Sequence, residues 1–498
     1  MAGGIWTSQN KLRPGAYINF ENESAVKINV GERGIATMPI SLDWGGENSL
    51  IELTSEDLLT GKSLAKVGLV YTDADALLIK LALQNCKLLK VFNINSGGVK
   101  ATKTIGYTET YELTSDVELV SGKTYYTRSG SGTEESPYVY TPVAEPDVSD
   151  IATYYEKIIN GGVTVTAKYP GLFGNKIAIV INTSENGYIV DTYANGYSVD
   201  SQEVSNATEL VNNEFVDFSN ATGALVPTAS TLLAGGTNGQ TATNYLTNYF
   251  NALLSTSWNT MAVPSNDVTI QLSVINFIKS ARDEEGKYVQ AVLPNVDIAS
   301  ADYEGIINSV NGVVLTDGTT VSAVNFVAWI AGATAGAANT ESLTGKVVDN
   351  ATSITNMLSN SEIVTGLQNG KFILSRNQNG AIKVEKDINS LHTFTAEKNY
   401  TFSKNRIIRE LDEIGSSIEN IWETTFLGKV NNNDDGRTLF KSSIIDYLTN
   451  LQTLGAISDF DSESVTVEAG DDVDSVIATI AVKPIDSMEL LYMTVSIS

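Results

Sequence analysis

Trp258-Asn-Thr-Met-Ala-Val263 is a short apolar run of strand character, and Asp267, four residues on, is placed to cap a helix reaching about Ala281. Tyr288–Leu293 repeats the strand pattern. A helix is expected near Asp302–Ser309, a third strand at Val313–Leu315, and a further helix beginning at Ser322. Strands that alternate with helices specify a parallel sheet flanked by helices. The last helix, through Ala338, is almost wholly apolar but contains Asn325 and Thr334 and is too short to span a bilayer comfortably. It reads as buried, with Gly332 and Gly336 permitting close packing.

Upstream, residues 24–105 mix both element types. Ser55 can cap a short helix, Thr72 or Asp73 one running to about Gln84, and Leu88–Ile94 reads as a strand. Val99–Ile105 and Val163–Lys168 are both strand-like and both follow Gly-Gly, which suggests neighbours in one sheet. The material between them, Tyr107–Lys157, then inserts at a turn. It holds eight of the 21 tyrosines and ten acids against three bases. It reads as a small β module whose tyrosines form an aromatic core, with an exposed binding surface as the second reading. Ala167–Gly236 is β-rich, with Ile177–Asn182 a clear strand.

Downstream, Ile407, Leu411, Ile414, Ile418, Ile421 and Trp422 recur at helical spacing, so an amphipathic helix is expected over Ser403–Leu427. Phe440, Ile444, Leu448, Leu451 and Leu454 mark another, ended by Gly455. Strands follow at Val465–Val467 and Val476–Val482. From Glu489 to Ser498, Leu491, Met493, Val495 and Ile497 alternate with Tyr492, Thr494 and Ser496. Near the other end Ala16, Ile18 and Phe20 alternate with Tyr17 and Asn19 after Pro14-Gly15. Strands at both ends offer open edges for pairing with other chains. Tyr17, Ile18, Phe20, Leu491, Tyr492, Met493, Thr494 and Val495 are the expected linking residues.

The expected fold class is multidomain α+β. Its parts are an arm at 1–22, a β-rich portion at 23–106 with 159–240, and the inserted module at 107–158. An α/β core at 241–375 and an α+β domain at 376–498, ending in the linking strand, complete it.

With 498 residues the chain needs several domains, and a formal charge of −26 argues against holding DNA through phosphates. The same charge makes copies repel one another. Asp459–Asp474 carries seven acids, Asp471 and Asp472 among them, and no Lys or Arg, whereas Lys398, Lys404, Arg406 and Arg409 cluster within a dozen residues. These are either two solvated faces or patches that meet across copies. The start Met1-Ala-Gly-Gly lacks the basic and apolar stretches of a secretory signal.

Long words of this chain resemble the contractile tail sheath family of bacteriophages and phage-derived bacteriocins. They include Lys386–Phe394, Phe402–Arg409, Phe426–Asn432, Gly436–Lys441, Gly455–Ile457 and Leu491–Val495. Upstream, Leu12–Tyr17, Ala167–Asn175, Asp302–Ile306 and Ala323–Gly332 fit too, in order; 107–157 is extra material. The resemblance implies a subunit that assembles helically, in stacked hexameric rings, around an inner tail tube. It implies further partners in the baseplate and tail terminator, extended and contracted states, and a place in the virion tail after synthesis in host cytoplasm. Neither nucleic acid nor membrane insertion is implied. The C-terminal domain and first arm would form the inner layer, and the inserted module would decorate the exterior in adhesion or masking.

Catalysis has its best case in Asp267, Asp297 and Asp317, each just beyond a strand's carboxyl end, where open sheets bind ligands and carboxylates hold Mg²⁺. Such residues are more often helix caps and turn residues. Gly61-Lys62-Ser63 and Gly122-Lys123-Thr124 resemble the end of a phosphate loop, but the required earlier glycine is Glu56 and Val117 respectively. Asn431–Gly436 resembles a calcium loop with Ser442 where a bidentate Glu belongs. Cys86 is the only cysteine and reads as a buried thiol; His392 is the only histidine, which excludes a multi-imidazole metal site. No cofactor, metal or catalytic residue is therefore expected. A surface-layer or adhesin-type β protein is the remaining class, and it needs an export signal.

Overall fold

A computed structural model of the protein describes residues 33–496 together with the short strands Ala2–Gly4 and Gly15–Tyr17. The chain divides into two compact units, 33–337 with 343–403 and 1–32 with 338–342 and 404–498.

The larger unit is organised by a seven-stranded sheet. Its strands are β1 (Ile35–Ile40), β2 (Leu50–Leu53), β3 (Leu88–Asn93), β4 (Thr260–Ala262), β5 (Gln290–Pro294), β6 (Ile306–Ser309) and β7 (Lys371–Phe372), in the order β7-β6-β5-β4-β1-β3-β2. All neighbours are parallel except β2 and β3. Side chains alternate between two apolar layers. Ala262, Val292 and Ile307 pack with helices α1 (Leu77–Leu83) and α3 (Ala323–Gly336). Met261, Val263, Ala291, Leu293 and Ile306 pack with Val274, Ile275 and Ile278 of α2 (Val268–Asp283). Covering both faces with helices is what buries a parallel sheet.

Helix α3 is buried from Phe326 to Ala335. A Cβ on Gly332 would stand 2.2 Å from the Ala82 carbonyl oxygen, and one on Gly336 1.9 Å from that of Asn85. Both glycines are thus required by the approach of the end of α1, as the sequence suggested.

Three expectations differ from the fold. The helix expected near Asp302–Ser309 is a short helix at Ile298–Ala301 followed by β6. A strand buried on both faces is apolar without alternation, which removes the local signal that separates it from a helix. Val313–Leu315 is a strand, but it pairs antiparallel with Thr320–Val321 and Ala351–Ile354 in a separate sheet. The grouping of 23–106 with the β-rich portion also differs, because β1, β2 and β3 hydrogen-bond into the same sheet as β4–β7.

Strands Thr102–Leu113 and Tyr155–Ala167 form one long antiparallel ribbon, with Ile105 opposite Val163. The two strand-like runs are neighbours, and the insertion leaves from the ribbon's far end. Val216–Ser219 pairs with the second strand. A four-stranded sheet of Tyr197–Val204, Gly187–Ala194, Ile177–Ser184 and Thr228–Leu232 packs its Ile177, Ile179 and Ile181 against Val163, Val165 and Trp44. Between the Ile105–Val163 and Tyr107–Gly161 pairs, Gly106, Gly161 and Gly162 have φ of 67°, 74° and 87°. Only glycine adopts these values without strain, so this point of the ribbon depends on all three.

Within the module, hairpin Tyr126–Ser129/Val139–Pro142 joins Tyr155. Tyr125, Ile151 and Tyr154 form a small core. Tyr111 stacks on Tyr140 at 4.0 Å, with Tyr126 and Tyr155 at the edges of that pair, both 5.2 Å away. The Arg128 guanidinium lies over Tyr138 and Tyr155. These tyrosines pack chiefly on one another.

The smaller unit contains α4 (Asn405–Ile421), continued by a wider turn at Trp422–Phe426, and α5 (Asp434–Thr453). Ile414, Ile421, Phe440, Ile444, Tyr447 and Leu451 form its core with Val465 of the hairpin Val465–Ala469/Val476–Ile480. Arg409 donates to the Glu341 carbonyl at 2.7 Å. Gly455, at φ 75°, ends α5 as expected.

Candidate linking surface

Among the described residues, the strand expected from Glu489 onward is not formed. Residues 485–496 form neither strand nor helix. A strand exists only through hydrogen bonds to a neighbour, and among the described residues this segment pairs with no strand. Ile485 still donates to the Ala456 carbonyl at 2.9 Å. One and four residues further the segment is held by charge. Lys404, extended just ahead of α4, sets its ammonium 3.2 Å from Asp486 and in direct contact with the Glu489 carboxylate. The Lys404 and Glu489 side chains are 7 % and 10 % exposed. Burial alone depresses the Lys404 pKa, but Glu489 and then Asp486 outweigh it, and the net shift is upward.

Beyond this root the chain is bare. Leu490, Leu491, Tyr492, Met493 and Val495 are all at least 73 % exposed. Among the described residues, 490–496 make no hydrogen bond or ion pair. A contiguous exposed apolar run of this kind marks an interaction site. The same unit presents hairpin Val465–Ala469/Val476–Ile480 as a two-stranded sheet whose outer edges have no strand partner among the described residues. Two strands alone are marginal in water. At its tip Asp471 and Asp472 are exposed beside Val473, and Ser475 Oγ receives the Asp472 N–H at 3.1 Å.

Of the other expected linking residues, Thr494 is exposed and Tyr17 lies in Gly15–Tyr17, which pairs in parallel with Ala2–Gly4. Ile18 and Phe20 lie outside the described residues, as does Ile497. The basic cluster is not one exposed face in this chain. Lys398 pairs with Glu304 in the larger unit, whereas Lys404, Arg406 and Arg409 are buried in the smaller one. The intramolecular carboxylates and carbonyls that accept from Lys404 and Arg409 draw them inward. The Lys404 contact with Glu489 spans 85 residues of sequence, and only the two acids Asp486 and Glu489 ahead of the apolar run hinted at it.

The residues weighed for chemistry have structural partners. Asp267 caps α2 by accepting from the Thr269 and Ile270 N–H groups, Asp297 accepts from Ser300, and Asp317 from Thr319 at 2.8 Å. Among the described residues no three acids, His or Cys gather as metal ligands. Gly61 ends a helix at φ 75°, and Lys123 pairs with Asp116 and Glu156. Asn433 caps α5 through the Gly436 N–H. His392 Nδ1 lies 2.9 Å from the Ser390 carbonyl, and its backbone N–H donates to Asp302. Burial pushes the Cys86 thiol up to about 12. No helix of the described residues is long and apolar enough to cross a membrane.

Comparison with known proteins gives four family matches in chain order. They are the tail sheath protein Gp18 domain III N-terminal region (33–94) and the phage tail sheath protein beta-sandwich domain (144–238). The central domain (238–390) and the C-terminal domain (397–498) of phage tail sheath proteins follow. Much of the module falls between the first two matches. The sheath tail protein from Desulfitobacterium hafniense is 35 % identical, with a TM-score of 0.72 over 95 % of this chain and 98 % of that one. The one from Listeria innocua is 31 % identical, with a TM-score of 0.72 over 92 % and 93 %. Phage-like element PBSX protein XkdK of Bacillus subtilis is 31 % identical over the full length of both chains.

Proposed function

We propose, since the chain belongs to the phage tail sheath family, that it polymerises helically around an inner tail tube and contracts to drive the tube through a bacterial envelope. The bare apolar run at 490–496, in the same unit as an open-edged hairpin, carries the proposal. Such a run completes a sheet edge in another copy, where its backbone groups find partners and its alternate side chains leave water. Tyr17, Ile18 and Phe20 supply a second link of the same kind. Each backbone hydrogen bond is worth about 1 kcal/mol net, and several per link, repeated along a tube, hold subunits that carry −26 each. Links through backbone survive reorientation of the rigid bodies. The contracted arrangement has the lower free energy, and the extended one persists behind a kinetic barrier.

The partners are then other copies, in stacked hexameric rings, together with the tube, baseplate and terminator proteins. Lys398, Asp471 and Asp472 are candidate charged contacts at those surfaces. The protein acts mechanically in the tail, without a cofactor. The inserted module decorates the exterior in adhesion or masking; a variant lacking Thr108–Glu156 still forms tubes on this reading. Removal of residues 490–498 tests the main proposal. A folded protein that forms no tubes by negative-stain microscopy and elutes as a monomer is expected. Tubes from that variant overturn the linking role.

A further inference from the structure

We propose that Lys404, through Glu489 and Asp486, is the positioning residue of the linking segment; this rests on the linking role of 490–496. Three observations meet there. Among the described residues Glu489 is the last with a side-chain partner, and the apolar run begins at the next position. The lysine that holds it stands at the start of α4, whose following residues are buried in the smaller unit's interior. A second carboxylate, Asp486, reaches the same ammonium from one turn of chain earlier, so the segment is gripped at two points three residues apart.

Two grips fix direction as well as position. A strand that completes another sheet must arrive in one register, because a slip of one residue turns every side chain to the wrong face. With Glu489 fixed, Leu491, Met493 and Val495 are committed to one face and Tyr492 and Thr494 to the other. With the grip lost, the same residues remain but sample both registers. The ion pair is nearly enclosed on the side of Lys404 and Glu489, so salt screens it less than a surface pair.

The experiment compares Lys404→Met, Glu489→Gln, Lys404→Arg and the exchange Lys404→Glu with Glu489→Lys. The concentration needed for tube formation is read by sedimentation, and monomer melting by circular dichroism. Lys404→Met and Glu489→Gln are expected to raise that concentration at least tenfold. Lys404→Met, which strands an enclosed carboxylate, also lowers melting, whereas Glu489→Gln, which leaves Asp486 on the lysine, is expected to keep melting within about 2 °C of the parent. Lys404→Arg and the exchange, which again sets a lysine between two acids, are expected to recover most of it. Unchanged assembly in Lys404→Met and Glu489→Gln overturns the proposal. So does an assembly loss that merely follows a lowered melting temperature across all four, since that marks a packing role. Should Lys404→Met fail to fold, Glu489→Gln, which leaves Asp486 on the lysine, decides alone. Tubes from the 490–498 deletion instead overturn the linking role itself, whatever Lys404 does.

Discussion

Helix α3 and the segment 490–496 are both apolar, yet the first is buried from Phe326 to Ala335 and the second is exposed throughout. The difference lies in the backbone. A helix satisfies its own N–H and C=O groups and then needs only side-chain cover, which β4, β5 and the end of α1 supply. A strand-forming segment has no internal partners, so apolar character cannot hide it until an edge is offered. Apolar residues of the first kind stabilise the subunit; those of the second are available to a second subunit.

That contrast can be broken from the buried side first. Trp329→Ala in α3 is expected to cost about 3–5 kcal/mol, and Gly332→Val at least as much, because a Cβ there meets backbone that cannot retreat. Denaturant unfolding reads both. From the exposed side, Leu491→Asp with Met493→Asp is expected to leave unfolding within about 0.5 kcal/mol of the parent while preventing tubes. Equal destabilisation by the two sets would erase the distinction.

A smaller effect tests the rim of the buried layer. Asp57 accepts the Thr54 N–H at 2.7 Å in a capping box and lies 3.1 Å from Lys66. Burial raises its pKa, but the hydrogen bonds from Thr54 and the contact with Lys66 outweigh it, leaving the folded value below that of a free aspartate. Its contribution is therefore present above the unfolded-state pKa and fades as pH falls through the folded one. Asp57→Ala is expected to cost about 0.5–2 kcal/mol at neutral pH and less in acid, by urea titration at both. The finest probe is chemical. With its pKa pushed up to about 12, Cys86 holds on the order of 10⁻⁴ thiolate at pH 8. It should resist alkylation until the protein unfolds, whereas a thiol placed by Leu491→Cys should react at once.

Local periodicity carried much of this architecture. The spacing of Ile407, Leu411 and Ile414 located α4, and the glycines of α3 announced a close backbone. The paired Gly-Gly runs placed the insertion in a ribbon. Periodicity failed where partners are distant. Nothing near Ile35 says that its strand joins one formed over 200 residues later. Ile306 and Ile307 face two cores at once and so lack a two-residue rhythm. Lys404 read as part of a basic patch because Asp486 and Glu489 lie far along the chain. At 490–496 the alternation was legible, but a strand is a property of two segments, and among the described residues only the first is present.

The ribbon that bears the inserted module has a practical corollary. Leu113 and Tyr155 are direct partners, so the two strands reach one level with their Cα atoms about 5 Å apart. A foreign domain whose ends lie close together can therefore be spliced at Leu113 and Tyr155 without stretching the scaffold, and every subunit would display it at the same pitch.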